Sequence, residues 1–168
     1  MRDERHPYYR SIEGVDQLAV GWLGRDCPST ALPRQDLVEK LALWIATQKF
    51  PSAHAGFYTC ALPRCPDDKG DGWAAGGSGE IYVPHVSKLN TLFCAPALVR
   101  HYVAAHGYSP PVEFIESVLA CPIEDVPRFD CRIEEVPPNL ARPEGPRLMA
   151  PGTKPVRMTF TWLNKPGD

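Results

Sequence analysis

No apolar run in this chain of 168 residues approaches the ~20 that a membrane-spanning helix needs. The opening stretch, MRDERHPYYR, is charged and aromatic and has none of the apolar character of a secretory leader. A cytoplasmic protein with no membrane partner is therefore expected. Charge of one sign is also missing. The 18 Lys and Arg nearly balance 20 Asp and Glu, leaving a formal net charge of −2 and no basic stripe. Nucleic acid has no electrostatic footprint here and is not expected as a partner. Cofactor and nucleophile signatures are absent as well. The glycines of GGSGEIY (76–82) complete neither a phosphate loop ending in G-K-[ST] nor G-x-G-x-x-G. Ser78 between Gly77 and Gly79 lacks the strand–turn–helix setting of a nucleophile elbow, and H-E-x-x-H does not occur.

Cysteine and proline are what the chain does have. In a reducing compartment the six cysteines read as core residues or metal ligands, not as three disulfides. Many of the 19 prolines fall after Ala120, in CPIEDVPRF, EEVPPNLARPEGPRLMAPGTKP and the final NKPGD. That shift divides the chain into an α+β core over residues 1–120 and a proline-rich extension with two strands over 121–168. The length suffices to bury a core without disulfide staples.

Three stretches carry helical periodicity. From Pro33 to Gln48, Leu37, Val38, Leu41, Trp44 and Ile45 form one stripe, with Pro33 at a first helical position. From Pro96, Leu98, Val99, Tyr102 and Val103 form another, and Gly107 stands where a left-handed C-cap is wanted. A third begins with Ser109 as N-cap before two prolines and buries Phe114, Ile115, Val118 and Leu119. Strands are expected at LAVGWL (18–23), at HAGFYTC leading into Cys60, and at EIYVP (80–84). Period two marks two more, FDCRIEEV and VRMTFTW, which pair as antiparallel neighbours around the loop 136–155. The fold class is α+β: one domain, three helices packed on a small, mainly antiparallel sheet, with a zinc staple as an option.

The staple is suggested by two pairs. FYTCALPRC places four residues between Cys60 and Cys65, and HYVAAH does the same for His101 and His106. Zinc takes four thiolate and imidazole ligands in tetrahedral geometry, and H-x4-H lies inside the usual spacing. An ideal helix rotates residues five apart by about 140°, so a regular helix splays the two imidazoles. Gly107 ends the helix at that point, and a distorted last turn brings His106 round. Three readings stay open. The four form one site; a set drawing on His54, His85 or Cys94 forms it; or the cysteines and His106 are ordinary core residues. Glu80 is a candidate general base beside a metal, but reads more simply as a solvent-facing strand carboxylate. DDKGDG fails as a calcium loop, since Lys69 and Ser78 occupy ligand positions beside Asp67, Asp71 and Gly72.

VGWL, the cysteine pair after an aromatic-rich strand, GSGEIYVP and CAPALVRHYVAAHGYSPPVEFIESVL together resemble a family of small uncharacterised bacterial proteins. That family carries a GEI strand, a cysteine pair and an HYV-x-x-HGY-x-PP helical corner, and the resemblance spans Tyr8 to Ala120. Its cysteine pair is C-x2-C, two residues tighter than here. The resemblance implies Cys60, Cys65, His101 and His106 as metal ligands and implies no activity. A closed Cys2His2 set leaves no position for substrate. The expected function is accordingly a zinc-stabilised, non-catalytic module that binds another protein, of immunity, adaptor or defence-associated type. The alternatives are a small zinc-dependent hydrolase or deaminase-like enzyme, and a structural component docking through its C-terminal strands.

Overall fold

The computed structural model describes residues 12, 14–23, 32–48, 58–67, 76–77, 79–135 and 156–165. At its centre is β5 (Thr91–Pro96), buried at every residue. It runs parallel to β1 (Asp16–Ala19) and antiparallel to β4 (Glu80–Pro84), giving a mixed three-stranded sheet in the order β1–β5–β4. Among the described residues two antiparallel ribbons complete the strands, β2 (Tyr58–Thr59) with β3 (Gly76–Gly77) and β6 (Phe129–Glu135) with β7 (Val156–Trp162).

Alternation along β4 and β5 sends side chains to two different covers. Ile81, Val83, Phe93 and Ala95 face the helices, in the same core as Leu41, Trp44, Val99 and Phe114. Tyr82, Leu92 and Cys94 face the other way, against Ile12, Trp22, Phe129 and Trp162. The start of β6 and the end of β7 thus lie on the second face of the sheet, with the Phe129 ring edge-on to Tyr82 at 5.1 Å.

Three helices cover the first face. α1 (Gln35–Thr47) buries Leu37, Val38, Leu41 and Trp44, the stripe its periodicity predicts. It starts two residues after Pro33, with Arg34 as N-cap; the Asp36 carboxylate accepts the Leu37 N–H at 2.8 Å and satisfies a first-turn amide. α2 (Val99–His106) ends at Gly107, whose φ of 63° is the left-handed conformation expected there. α3 (Val112–Ala120) is capped by Pro111 and not by Ser109. A residue before proline avoids the helical region, so Ser109 and Pro110 are both held extended and the helix begins only after the second proline.

The strand expected at 18–23 lies further toward the N-terminus. Its pairing with β5 ends at Ala19, Leu18 is exposed, and Val20 turns into the helical core. Gly21 explains the ending: its φ is +76°, and a Cβ there stands 2.9 Å from Val99 Cγ2. Gly21→Ala should cost about 2 kcal/mol, from a left-handed residue and an overpacked contact together. Denaturant unfolding checks this, with the midpoint lowered and the slope unchanged.

Candidate metal centre

Each pair of candidate ligands is positioned by a local device. Cys60 follows β2 directly, and Leu62, buried among core side chains, pins the segment that links the two cysteines. Pro63 and Arg64 then turn the chain, with Arg64 in the left-handed region at φ 58°. A non-glycine residue there is strained, and the turn is what lets Cys65 fold back toward Cys60. Both cysteines are buried.

α2 resolves the splay of its two histidines in its last turn. The Gly107 N–H bonds to the Tyr102 carbonyl, five residues back, and the Tyr108 N–H reaches the same oxygen at 3.0 Å. Closure over five residues winds the chain less per residue than an α-turn, which reduces the angle between positions 101 and 106 below about 140°. The two imidazoles meet edge to face, with Nε2 to Nε2 at 3.2 Å.

Around this pair the thiols close in. Cys60 Sγ lies 3.3 Å from His106 Nε2, Cys65 Sγ lies 3.4 Å from His101 Nε2, and the four ligand atoms are all within 4.8 Å of one another. Zinc–ligand distances of about 2.0–2.1 Å to nitrogen and 2.3 Å to sulfur set tetrahedral edges near 3.3 Å for N···N and about 3.6 Å for N···S. The four residues are thus close enough to hold a metal ion, and the contacts at 3.2, 3.3 and 3.4 Å are of the length of tetrahedral edges. Asp67 was not foreseen as a neighbour of the site. Its Oδ2 lies 3.1 Å from His101 Nδ1, on the far side of the ring from the converging Nε2.

Electrostatics bear on how these groups ionise without a metal. Burial pushes the Cys60 thiol up to about 11, while the Leu62 backbone N–H works in the opposite direction. Burial also lowers His101, reinforced by His106, against the opposing pull of Asp67. The metal-free site therefore favours a neutral imidazole and a protonated Cys60, and metal binding must displace that thiol proton.

The other candidates lie elsewhere. Cys94 is on the opposite face of the sheet, packed with Tyr82 and Trp162. His85 stacks on Phe93 at 5.0 Å, and its Nδ1 accepts the Ser87 N–H at 3.2 Å. His54, Lys69, Asp71, Gly72 and Ser78 lie outside the described residues. Glu80 corrects an expectation: it is buried, not solvent-facing, and accepts a hydrogen bond from Tyr82 Oη at 2.8 Å. That bond and the strand alternation put its carboxylate with Tyr82, on the face away from the Cys/His group.

Cys60, Cys65, Cys94 and Cys121 are free thiols, and no helix among the described residues is long and apolar enough to cross a membrane. No curated protein and no solved structure matches the chain. Residues 2–119, which hold the cysteine pair, the GEI strand and the helical corner, match the family described as Domain of unknown function (DUF7919), and the chain belongs to that family.

Proposed function

We propose that Cys60, Cys65, His101 and His106 hold one structural zinc ion, and that the protein is a zinc-stapled, non-catalytic module of the cytoplasm that works by binding another protein. The observation that carries the zinc assignment is the convergence of two sulfurs and two imidazole nitrogens within 4.8 Å. Thiolate and imidazole together suit zinc, whereas calcium and magnesium demand oxygen. Four protein ligands fill a tetrahedral ion, which leaves no position to activate water.

The same geometry counts against the enzymatic alternative. That alternative needs one ligand displaced and a base at the metal, and Glu80 sits on the wrong face of the sheet for that role. Protein binding draws support from the β6–β7 ribbon. Among the described residues neither strand pairs with a third, so each offers an open edge to which a partner strand can add. An immunity, adaptor or defence-associated role fits a module of this kind, as does a structural role in an assembly docked through the same strands.

Metal analysis of natively purified protein should find one zinc per chain. Cobalt substituted for it should give the spectrum of a tetrahedral thiolate site that does not respond to azide or cyanide. A metal-free protein would overturn the staple. A spectrum that shifts with small ligands would overturn the closed site and favour the enzyme.

A further inference from the structure

The described residues offer three further features: the buried Glu80–Tyr82 pair, the open edges of the ribbon, and the contact of Asp67 with His101. Nothing around Glu80 identifies a ligand, and nothing seated on the ribbon identifies its occupant. The third feature carries an argument, which rests on the zinc reading above.

A neutral imidazole has one protonated nitrogen and one free lone pair, and only the lone pair can bind a metal. Which nitrogen is which is set by the partner of the other. His101 turns Nε2 toward Cys65 Sγ at 3.4 Å and toward His106 Nε2 at 3.2 Å. Its Nδ1 is 3.1 Å from an Asp67 carboxylate oxygen. A carboxylate oxygen accepts hydrogen bonds, so in this contact Nδ1 is the donor and Nε2 keeps the free lone pair. We propose that Asp67 is a positioning residue of the metal centre, which fixes the His101 ring and tautomer so that Nε2 faces the ion.

The sequence makes the arrangement economical. Asp67 follows Cys65 by two residues, so one segment delivers a ligand and the carboxylate that orients a second ligand on α2. Without it, the ring is free to rotate and to place its proton on Nε2, and binding must first reverse both. A carboxylate behind a ligating imidazole also raises the basicity of the bound nitrogen. Loss of such a partner typically weakens metal affinity 10–100-fold.

Because the Asp67 side chain is 57% exposed, its replacement leaves the core intact. Zinc affinity, measured by competition with a chromophoric chelator, should fall 10–100-fold in Asp67→Ala. Asp67→Glu should recover most of the loss, because a carboxylate again reaches Nδ1. In the zinc-loaded wild type, proton NMR should show a His101 Nδ1–H resonance protected from exchange, and this signal should vanish in Asp67→Ala. A loop role without contact to the imidazole would not move that resonance. Zinc-loaded wild type with unchanged affinity in Asp67→Ala, or without the protected proton, overturns the role of Asp67 alone. Wild type that binds no zinc overturns the metal reading itself.

Discussion

Cys60→Ala, Cys65→Ala, His101→Ala and His106→Ala should each lose the metal and lower the thermal midpoint by roughly 8–16 °C. The figure follows from linkage. An ion bound only to the folded state stabilises it by about 4 kcal/mol when free metal is a thousandfold above the dissociation constant. In a chain of this size each kcal/mol moves the midpoint by about 2–4 °C. A zinc finger unfolds outright without its ion, but here Leu41, Trp44, Val83, Val99 and Phe114 bury a core of their own. The metal-free protein should therefore remain folded at low temperature. Additivity supplies the sharper test. The Cys60→Ala, His106→Ala double variant should cost little more than either single one, because the first change already empties the site. Chelator should bring wild type down to the midpoint of the variants and leave the variants where they are. Cys94→Ala, on the far face of the sheet, should keep the ion. Wild type that is indifferent to chelator, or single-ligand costs that simply add, would sink the staple.

Periodicity exposed the parts of this fold whose chemistry is local. The stripe Leu37, Val38, Leu41, Trp44 and the cap at Gly107 are properties of single segments, and they stand as the sequence predicts. Alternation likewise identified β6 and β7, whose register sets Phe129 opposite Trp162 and Ile133 opposite Met158. The central strand was invisible for the opposite reason. TLFCAP is buried on both faces, so it has no polar alternation, and it runs almost directly into α2, whose pattern absorbs Pro96. β3 leaves no signal in the sequence because two glycines carry no pattern at all; only pairing with Tyr58 and Thr59 makes them a strand.

The candidate centre was legible to about the same depth. Spacing named the two pairs, since ligand intervals within a turn or a helix end are local quantities. Spacing could not say whether the pairs meet, because that depends on how the β2–β3 ribbon and α2 pack. The widened closure of Gly107 onto Tyr102 is likewise set by the three-dimensional end of the helix. Nor could it separate Cys94 from the other cysteines, which required knowing that it faces the far side of β5. In the sequence Asp67 stood only in the failed calcium motif DDKGDG, and its contact with His101 becomes visible only in the folded chain.

Gln48 is the strongest case of a residue whose importance only the assembled fold reveals, and its replacement should be costly. It ends α1, with its own N–H bonded to the Trp44 carbonyl at 2.9 Å. The residue is 3% exposed, and its side chain lies along the outer edge of β4, which has no strand neighbour on that side among the described residues. There the amide acts in place of a strand. Gln48 Oε1 accepts the Tyr82 N–H at 2.7 Å, and Nε2 donates to the Tyr82 carbonyl at 3.2 Å and to the Pro127 carbonyl at 3.3 Å. One side chain thus closes a sheet edge and ties it to the segment that leads into β6. Gln48→Leu keeps the volume and removes every one of these bonds, leaving a buried amide and two carbonyls facing hydrocarbon. At about 1–3 kcal/mol for each buried group left unsatisfied, with some relaxation, the cost should be roughly 3 kcal/mol. Gln48→Glu should be at least as damaging at neutral pH, because it sets a carboxylate against two carbonyl oxygens. Denaturant unfolding measures the cost, and hydrogen exchange locates it: the Tyr82 amide should lose protection well before the amides of β5. A Gln48→Leu protein within 0.5 kcal/mol of wild type, with Tyr82 still protected, would mean that water or a shifted chain replaces the amide at no cost.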